Sequence, residues 1–309
     1  MTDAPEPDLP RGIALAWGVA ANPQRGPKRE MSVERIVEAA VEIADAEGLG
    51  AVSMAAVAAR LGFTPMSLYR YVNAKEDLIL LMQEEATGAP SEATRSAGGW
   101  RERLEALYRE QLQHYLAHPW VLDIPISGVP ATPNSAAWMD AGLSALADTG
   151  LTYTERLAVM LLVTGTAHWA GTILAGYARV EREQGLDGDA ISRSEDAMFR
   201  TLITADAYPD LRAAIEAGAF LDDSDPFSFA LARGLEGVSE YIAASADGQR
   251  ERPAPWAVAD DADIADDKRF REARKAVREA EKALRDAHRL ERQAAREARD
   301  RKARQRLGG

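Results

Sequence analysis

The chain has 309 residues, no cysteine and a formal net charge of −12. That length has room for about two domains, and a hydrophobic content of 46% can fill real cores, which argues against wholesale disorder. The missing thiols exclude disulfides, Cys-ligated zinc and thiol nucleophiles together. The charge is unevenly shared. Residues 268–309 hold 16 basic and 7 acidic groups, leaving 21 basic and 42 acidic groups in the rest. An acidic body does not exclude nucleic-acid binding, because only the docking surface must be locally neutral or positive. It weakens nonspecific affinity and puts more weight on direct contacts.

In chain order, residues 1–30 read as an irregular, flexible arm. It is acidic and proline-rich at its start, with one apolar patch from Ile13 to Trp17 and a basic cluster of Arg25, Lys28 and Arg29 at its end. No basic stretch runs into an apolar one, so the start does not read as a secretory signal. Ser32 is placed to cap a helix whose Ile36, Val37, Ala40, Val41 and Ala44 share a face, stopped by Gly48 and Gly50. A short helix from Ser53 ends at Leu61-Gly62, and a second opens at Thr64-Pro65 and runs to about Val72. Asn73 is the expected cap of a third, which continues past Leu78, Ile79 and Met82. Glycine, alanine and serine residues with Pro90 near 88–99 mark a break.

From Trp100 the pattern is helical. Leu104, Leu107, Tyr108, Leu112 and Tyr115 form a stripe ended by Pro119, and a helix follows from about Ser135 to Asp148. Thr152 caps the longest apolar helix, which reaches about Glu183. Helical pieces at 190–205 and 208–218 lead to a last body helix through Phe227, Leu231, Leu235, Val238 and Ile242. The apolar run from Leu157 to Tyr177 is broken by Thr164, Thr166, His168, Thr172 and three glycines, and reads as a buried helix of a cytoplasmic protein rather than a membrane span. Residues 248–267 read as a linker. Residues 268–306 read as a charged helix whose apolar heptad positions are nearly all alanine, too small to seal a coiled coil. The expected fold is all-α: a helix-turn-helix domain of three helices at 31–87, a larger helical domain for effector binding and dimerisation at 98–247, and a tail at 248–309.

The spacing around Gly62 has a mechanical reason. Two helices cross closely where Ala58 is small, and Gly62 relieves crowding in the turn. Thr64 can cap the second helix while Pro65 occupies its first turn without wasting an N–H. Leu68 and Val72 point inward, which leaves Met66, Ser67, Tyr69, Arg70 and Tyr71 as outward groups. An arginine can read guanine or hold phosphate, serine reaches base or backbone, and Lys75 at the next helix start is a natural phosphate clamp.

The segment ERIVEAAVEIADAEGLGAVSMAAVAARLGFTPMSLYRYVNAKEDLILLM resembles the N-terminal domain of the TetR family of repressors, most tellingly in SLYRYV and the lysine that follows. The likeness covers about residues 31–85. It returns at DPFSFALARGLEGVSEYI, similar to the last helix of the family's ligand-binding domain. The resemblance implies a homodimer of two-domain helical subunits on a palindromic double-stranded DNA operator, released by a small-molecule effector. It places Thr64, Pro65, Met66, Ser67, Tyr69, Tyr71 and Lys75 at positions that touch DNA in the family. Ala55 and Ala56 stand where many relatives have arginine, which shifts weight to Arg70, Lys75 and the arm residues Arg25, Lys28 and Arg29.

Residues 100–246 show no triad, spaced carboxylate pair or phosphate loop, so neither catalysis nor a cofactor is expected. His114 and His118 share a helix face at i, i+4, a spacing that suits a metal but more often a surface pair. His168, Trp169 and Thr164 lie together on the most apolar helix and are effector-site candidates. Trp120, Trp138, Met139, Met160, Tyr177 and Met198 are the other possible lining groups, and an apolar or aromatic effector is the expected class. Gly165, Gly171, Ala175 and Gly176, with Ala230 and Gly234, permit the close helix approach of a four-helix dimer interface or of intrachain packing. The alternative function is a helical small-molecule-binding or enzymatic protein that has lost DNA binding.

Overall fold

The computed structural model describes residues 9–19, 31–126, 128, 131–246, 250, 264 and 266–307. Among them every regular element is a helix. The chain divides into two units, residues 1–250 and 251–309.

The arm is not irregular throughout. Residues Arg11–Ala16 form α1, which starts at Pro10 and packs against α5 (Lys75–Thr87). Gly12 makes this possible: a Cβ there would stand 2.7 Å from Asp77 Oδ1. The Gly12 N–H instead donates to that oxygen at 2.9 Å. Trp17 then donates its indole N–H to the Ala131 carbonyl at 2.7 Å.

Helix α2 (Val33–Glu47) is capped by Ser32, whose hydroxyl accepts from the Arg35 N–H. Ser53 caps α3 (Met54–Leu61) in the same way through Ala56. Each cap satisfies one otherwise orphaned donor, worth ~1 kcal/mol. Gly62 ends α3 with φ +76°, a left-handed conformation that suits glycine. Pro65 opens α4 (Pro65–Leu68), and hydrogen bonds from Tyr71 and Val72 to the Leu68 carbonyl carry the turn on to Val72. Asn73 is not the next cap. Ala74 holds that position without a side-chain bond. With its amide O and N assigned to match their neighbours, Asn73 instead donates to the Tyr69 carbonyl at 3.0 Å and accepts from Arg11 Nε at 3.1 Å. Ile36, Val57, Leu68, Val72, Leu78 and Met82 are fully buried and form the centre of this first core.

A second core lies under α7 (Trp100–Ala117), α8 (Pro133–Ala145), α9 (Tyr153–Gln184) and α12 (Pro226–Ala246). A short α6 (Glu92–Ser96), capped by Ser91, stands where a plain break was expected. Helix α7 runs along α9, and Gly171 permits it, since a Cβ there would meet the Tyr115 Cβ at 3.0 Å. Helix α9 begins in a full capping box: Glu155 N–H to Thr152 Oγ1 at 3.3 Å, and Thr152 N–H to Glu155 Oε2 at 2.7 Å. Tyr241 and Arg250 also donate to the Glu155 carboxylate, at 2.8 and 2.7 Å. The Thr152 backbone bond first, then Tyr241, hold its pKa down at about 2. Helices α10 (Gly188–Leu202) and α11 (Pro209–Glu216) complete the body, joined by Arg200, which donates to Asp196 and to the Ile215 carbonyl.

In the second unit, α13 (Lys268–Leu307) is a 40-residue helix begun by Asp267, whose carboxylate accepts the Phe270 N–H at 2.8 Å.

Candidate nucleic-acid interface and effector cavity

The predicted DNA-reading residues come together at one end of the first core. Thr64, Pro65, Met66, Tyr69, Arg70 and Lys75 are exposed, while Ser67 and Tyr71 are half-buried. Met66 is 72% exposed and Tyr69 44%, although both side chains are largely apolar. The buried Leu68 and Val72 between them fix which way these groups face. Thr64 sits at the N-cap of α4, but its hydroxyl bonds no backbone N–H. It lies 3.3 Å from Ser67 Oγ, and Ser67 donates to the Thr64 carbonyl at 2.5 Å. Pro65 carries no N–H and the Ser67 N–H donates to the Thr64 carbonyl at 3.0 Å, so exposed side chains rather than a row of free N–H groups make up this surface. Ala55 is exposed on α3 and offers no polar contact. Arg60, at the end of α3, is tied to Glu42 at 2.5 Å. Arg25, Lys28 and Arg29 lie outside the described residues.

Helix α5 carries this surface into the larger domain. Its C-terminal half is clamped by the start of α8: Asn134 donates its backbone N–H to Glu84 Oε1 at 2.7 Å and its side-chain amide to the Glu84 carbonyl at 2.9 Å. Trp138 donates to the Gly88 carbonyl at 2.9 Å. A second joint links α2 to the turn after α7, where His118 Nδ1 and the Trp120 indole both meet Asp45 Oδ1, at 2.8 and 2.7 Å.

Between α5, α7 and α9 lies a cavity of about 530 Å³, lined by Ile79, Leu80 and Gln83 of α5, Tyr115 of α7, His168 of α9, and Val121, Ile124, Pro125, Ile126 and Gly128 beyond α7. Its lining is mainly apolar, with Glu76, Gln83 and His168 as polar points. His168 stands edge-on to Tyr115, with ring centroids 5.7 Å apart, and burial pushes the Tyr115 hydroxyl's pKa up. This volume suits a small organic ligand.

Of the sequence-predicted effector residues, only His168 lines this cavity. Trp138 and Met160 are buried in the second core, Met160 against Gly142, and Met139 packs on that core. Trp120 is 2% exposed and spends its indole N–H on Asp45; it borders a separate, more polar cleft with Thr172 and Arg179. Trp169, Tyr177 and Met198 face outward, Tyr177 donating to Glu195 at 2.9 Å. Thr164 is half-buried on α9 away from the lining. Periodicity cannot tell which side of a doubly apolar helix faces a void, and α9 is apolar on both. Ile79, Leu80 and Gln83 were missed because α5 reads as part of the DNA-binding domain. His114 and His118 do not converge on a metal: His114 stands edge-on to Trp138, and His118 faces Asp45. No cluster of three metal-ligating side chains occurs among the described residues.

The glycines divide as well. Gly171 and Gly234 serve intrachain packing, Gly234 against Leu162, whereas Gly165 and Gly176 face open space. Ala158, Leu161, Leu162, Gly165 and Trp169 form an exposed stripe on α9, and Phe229, Ala230 and Gly237 one on α12. Helix α9 is long and apolar enough to cross a membrane, yet only 28% of its most apolar window is buried in the monomer.

A short helix pair that presents an exposed second helix, joined by one rigid helix to a helical domain with a cavity, defines a helix-turn-helix regulator of the ligand-responsive kind. Residues 36–82 match the family described as bacterial regulatory proteins of the tetR family, and residues 92–242 match the tetracyclin repressor-like C-terminal domain. The chain belongs to the TetR family of transcriptional regulators. It is 37% identical over 238 residues to the HTH-type transcriptional repressor DrrR1 of Streptomyces coeruleorubidus, a match covering 76% of this chain and 87% of that protein. An HTH-type transcriptional regulator of Saccharopolyspora erythraea is 29% identical over 216 residues, covering 70% and 86%. Among solved structures, apo ActR of Streptomyces coelicolor superposes with a TM-score of 0.58 at 22% identity, over 72% of this chain and 100% of that one.

Proposed function

We propose that the protein is a cytoplasmic, homodimeric repressor that grips a palindromic operator through the first turn of α4 and Lys75, and releases it when an apolar or aromatic effector fills the cavity beside α5. The observation that carries this reading is that one helix serves both sites. Lys75 begins α5 on the DNA side, and Ile79, Leu80 and Gln83 line the cavity one to two turns later. A ligand wedged there displaces α5 only if it binds the displaced state more tightly. Two recognition helices on a two-fold dimer must stay one helical turn of DNA apart, so a small tilt of each α5 is enough to break the match.

The exposed apolar stripes of α9 and α12 support the dimer, since a regulator in water leaves such faces uncovered only at a cost of ~25 cal/mol per Å². A four-helix arrangement of two α9 and two α12 covers both. Neither catalysis nor a cofactor is part of this reading. Selection of bound sequences from random duplex DNA tests it: an enriched palindrome is expected, and Tyr71→Ala with Lys75→Ala should abolish the enrichment. Enrichment of a single half-site, or of nothing, counts against the proposal.

A further inference from the structure

Helix α13 carries a feature that its alanine pattern hides. Starting at Lys268, basic residues recur at alternating steps of three and four: Arg271, Lys275, Arg278, Lys282, Arg285 and Arg289, and the sequence continues the spacing at Arg292, Arg296 and Arg299. Ten consecutive heptad positions are therefore Lys or Arg. A 3–4 alternation drifts only ~20° per heptad around a straight helix, so the seven cations from Lys268 to Arg289 form one stripe about 32 Å long at 1.5 Å per residue. The first seven side chains are all exposed. Alanines 273, 276, 280, 283 and 287 fall on the opposite side. The acidic residues are few and largely off the stripe. Lys275 reaches Glu279 only at 3.8 Å, and Arg289 reaches Asp286 at 3.4 Å.

This arrangement works against the isolated helix, because like charges at i, i+3 and i, i+4 repel. The alanine seam on the opposite side buries too little area to seal a coiled coil in its place. The basic stripe suits a linear polyanion. The helix-turn-helix surface lacks what such a stripe supplies: α3 contributes only Arg60, which is paired, and Glu76 and Asp77 directly follow Lys75.

We propose that α13 is a second DNA-binding element, its Lys/Arg stripe lying along the phosphates of duplex DNA beside the operator and adding sequence-independent affinity. The proposal rests on duplex DNA being the partner of the first unit. The tail does not read bases; it releases counterions.

The test is the salt dependence of full-length protein on a nonspecific 60-base-pair duplex, read by fluorescence anisotropy between about 50 and 200 mM salt. In one variant Lys268, Arg271, Lys275, Arg278, Lys282, Arg285 and Arg289 are all changed to Gln, a good helix former, with helicity checked by circular dichroism. At ~0.9 per phosphate contact, the slope of log K against log salt should become shallower by up to about six. Neutralising Arg269, Arg301 and Lys302, which lie off the stripe, should change the slope by less per charge. An unchanged slope overturns the proposal. So does tighter DNA binding by the stripe variant, which would mean that the tail serves the acidic body, or a tail-dependent slope seen only with RNA of equal length. Equal effects per charge on and off the stripe overturn its geometry. Failure of the operator reading shows separately, as a wild-type chain with a tail-dependent slope and no sequence preference.

Discussion

The two hydrophobic cores of the body are closed to different degrees. In the first, Ile36, Val57, Leu68, Val72, Leu78 and Met82 are sealed completely, and within residues 31–87 the large apolar groups left exposed are Met66 and Tyr69 on and just after α4. In the second, α9 buries Val163, Ala167 and Ala170 on one side while Leu161 and Trp169 stand 68% and 62% exposed on the other. The small domain is finished within one chain. The large one is left open, with a cavity on its inner side and an apolar stripe on its outer side, the two places that the proposed effector and the proposed second subunit would fill.

That contrast is broken most severely from inside. Leu68→Ala removes a fully buried side chain from the first core and should cost ~2–5 kcal/mol, read as a lowered Tm and as DNA binding lost together with fold. Leu161→Arg, at an exposed position, should leave the secondary structure and monomer melting intact yet turn a dimer into a monomer by sedimentation. A Leu161→Arg protein that stays dimeric would move the interface away from α9.

The first core was legible because each of its devices is local. Ser32 and Ser53 cap as their positions predict, Gly62 takes the left-handed turn, and Leu68 and Val72 alternate with outward groups by simple helical spacing. What could not be read depends on long-range placement. The arm's α1 exists because Gly12 lets its backbone reach Asp77, 65 residues away in sequence. Asn73 reads as a cap but is engaged by Arg11 from that same helix. The cavity draws on α5, α7, α9 and residues such as Val121, Ile124 and Ile126 after α7, and only His168 among the expected residues lines it. The basic stripe of α13, by contrast, is fully present in the sequence as a strict 3–4 spacing of Lys and Arg, on the face opposite its alanines.

The inner vacancy gives a smaller effect. Ile79→Trp adds bulk to the α5 wall of a cavity of about 530 Å³ without touching Lys75 or α4. Binding of an environment-sensitive aromatic dye such as 8-anilinonaphthalene sulfonate should weaken about tenfold, equivalent to ~1.4 kcal/mol, with the dimer unchanged. If dye binding falls instead with Leu161→Arg and not with Ile79→Trp, the dye reports the outer stripe and the effector cavity must be sought elsewhere.

The smallest effect concerns the N-terminus of α9, where the open domain is pinned. Glu155 is held at about 2 against an ordinary 4.5, chiefly by the Thr152 N–H and then by Tyr241. Because its folded pKa is depressed, the unfolded chain takes up the proton first as pH falls. The stability that the charge confers is therefore complete above about 4.5 and is lost progressively toward about 2. Glu155→Gln keeps a residue that can complete the capping box but removes the charge that faces Arg250. The Tm of wild type should exceed that of E155Q near neutral pH, and the gap should narrow as pH drops through this window, titrations common to both proteins cancelling in the difference. A gap that is constant with pH would mean that Glu155 acts through its shape and hydrogen bonds alone, and that the start of α9 is held without help from its charge.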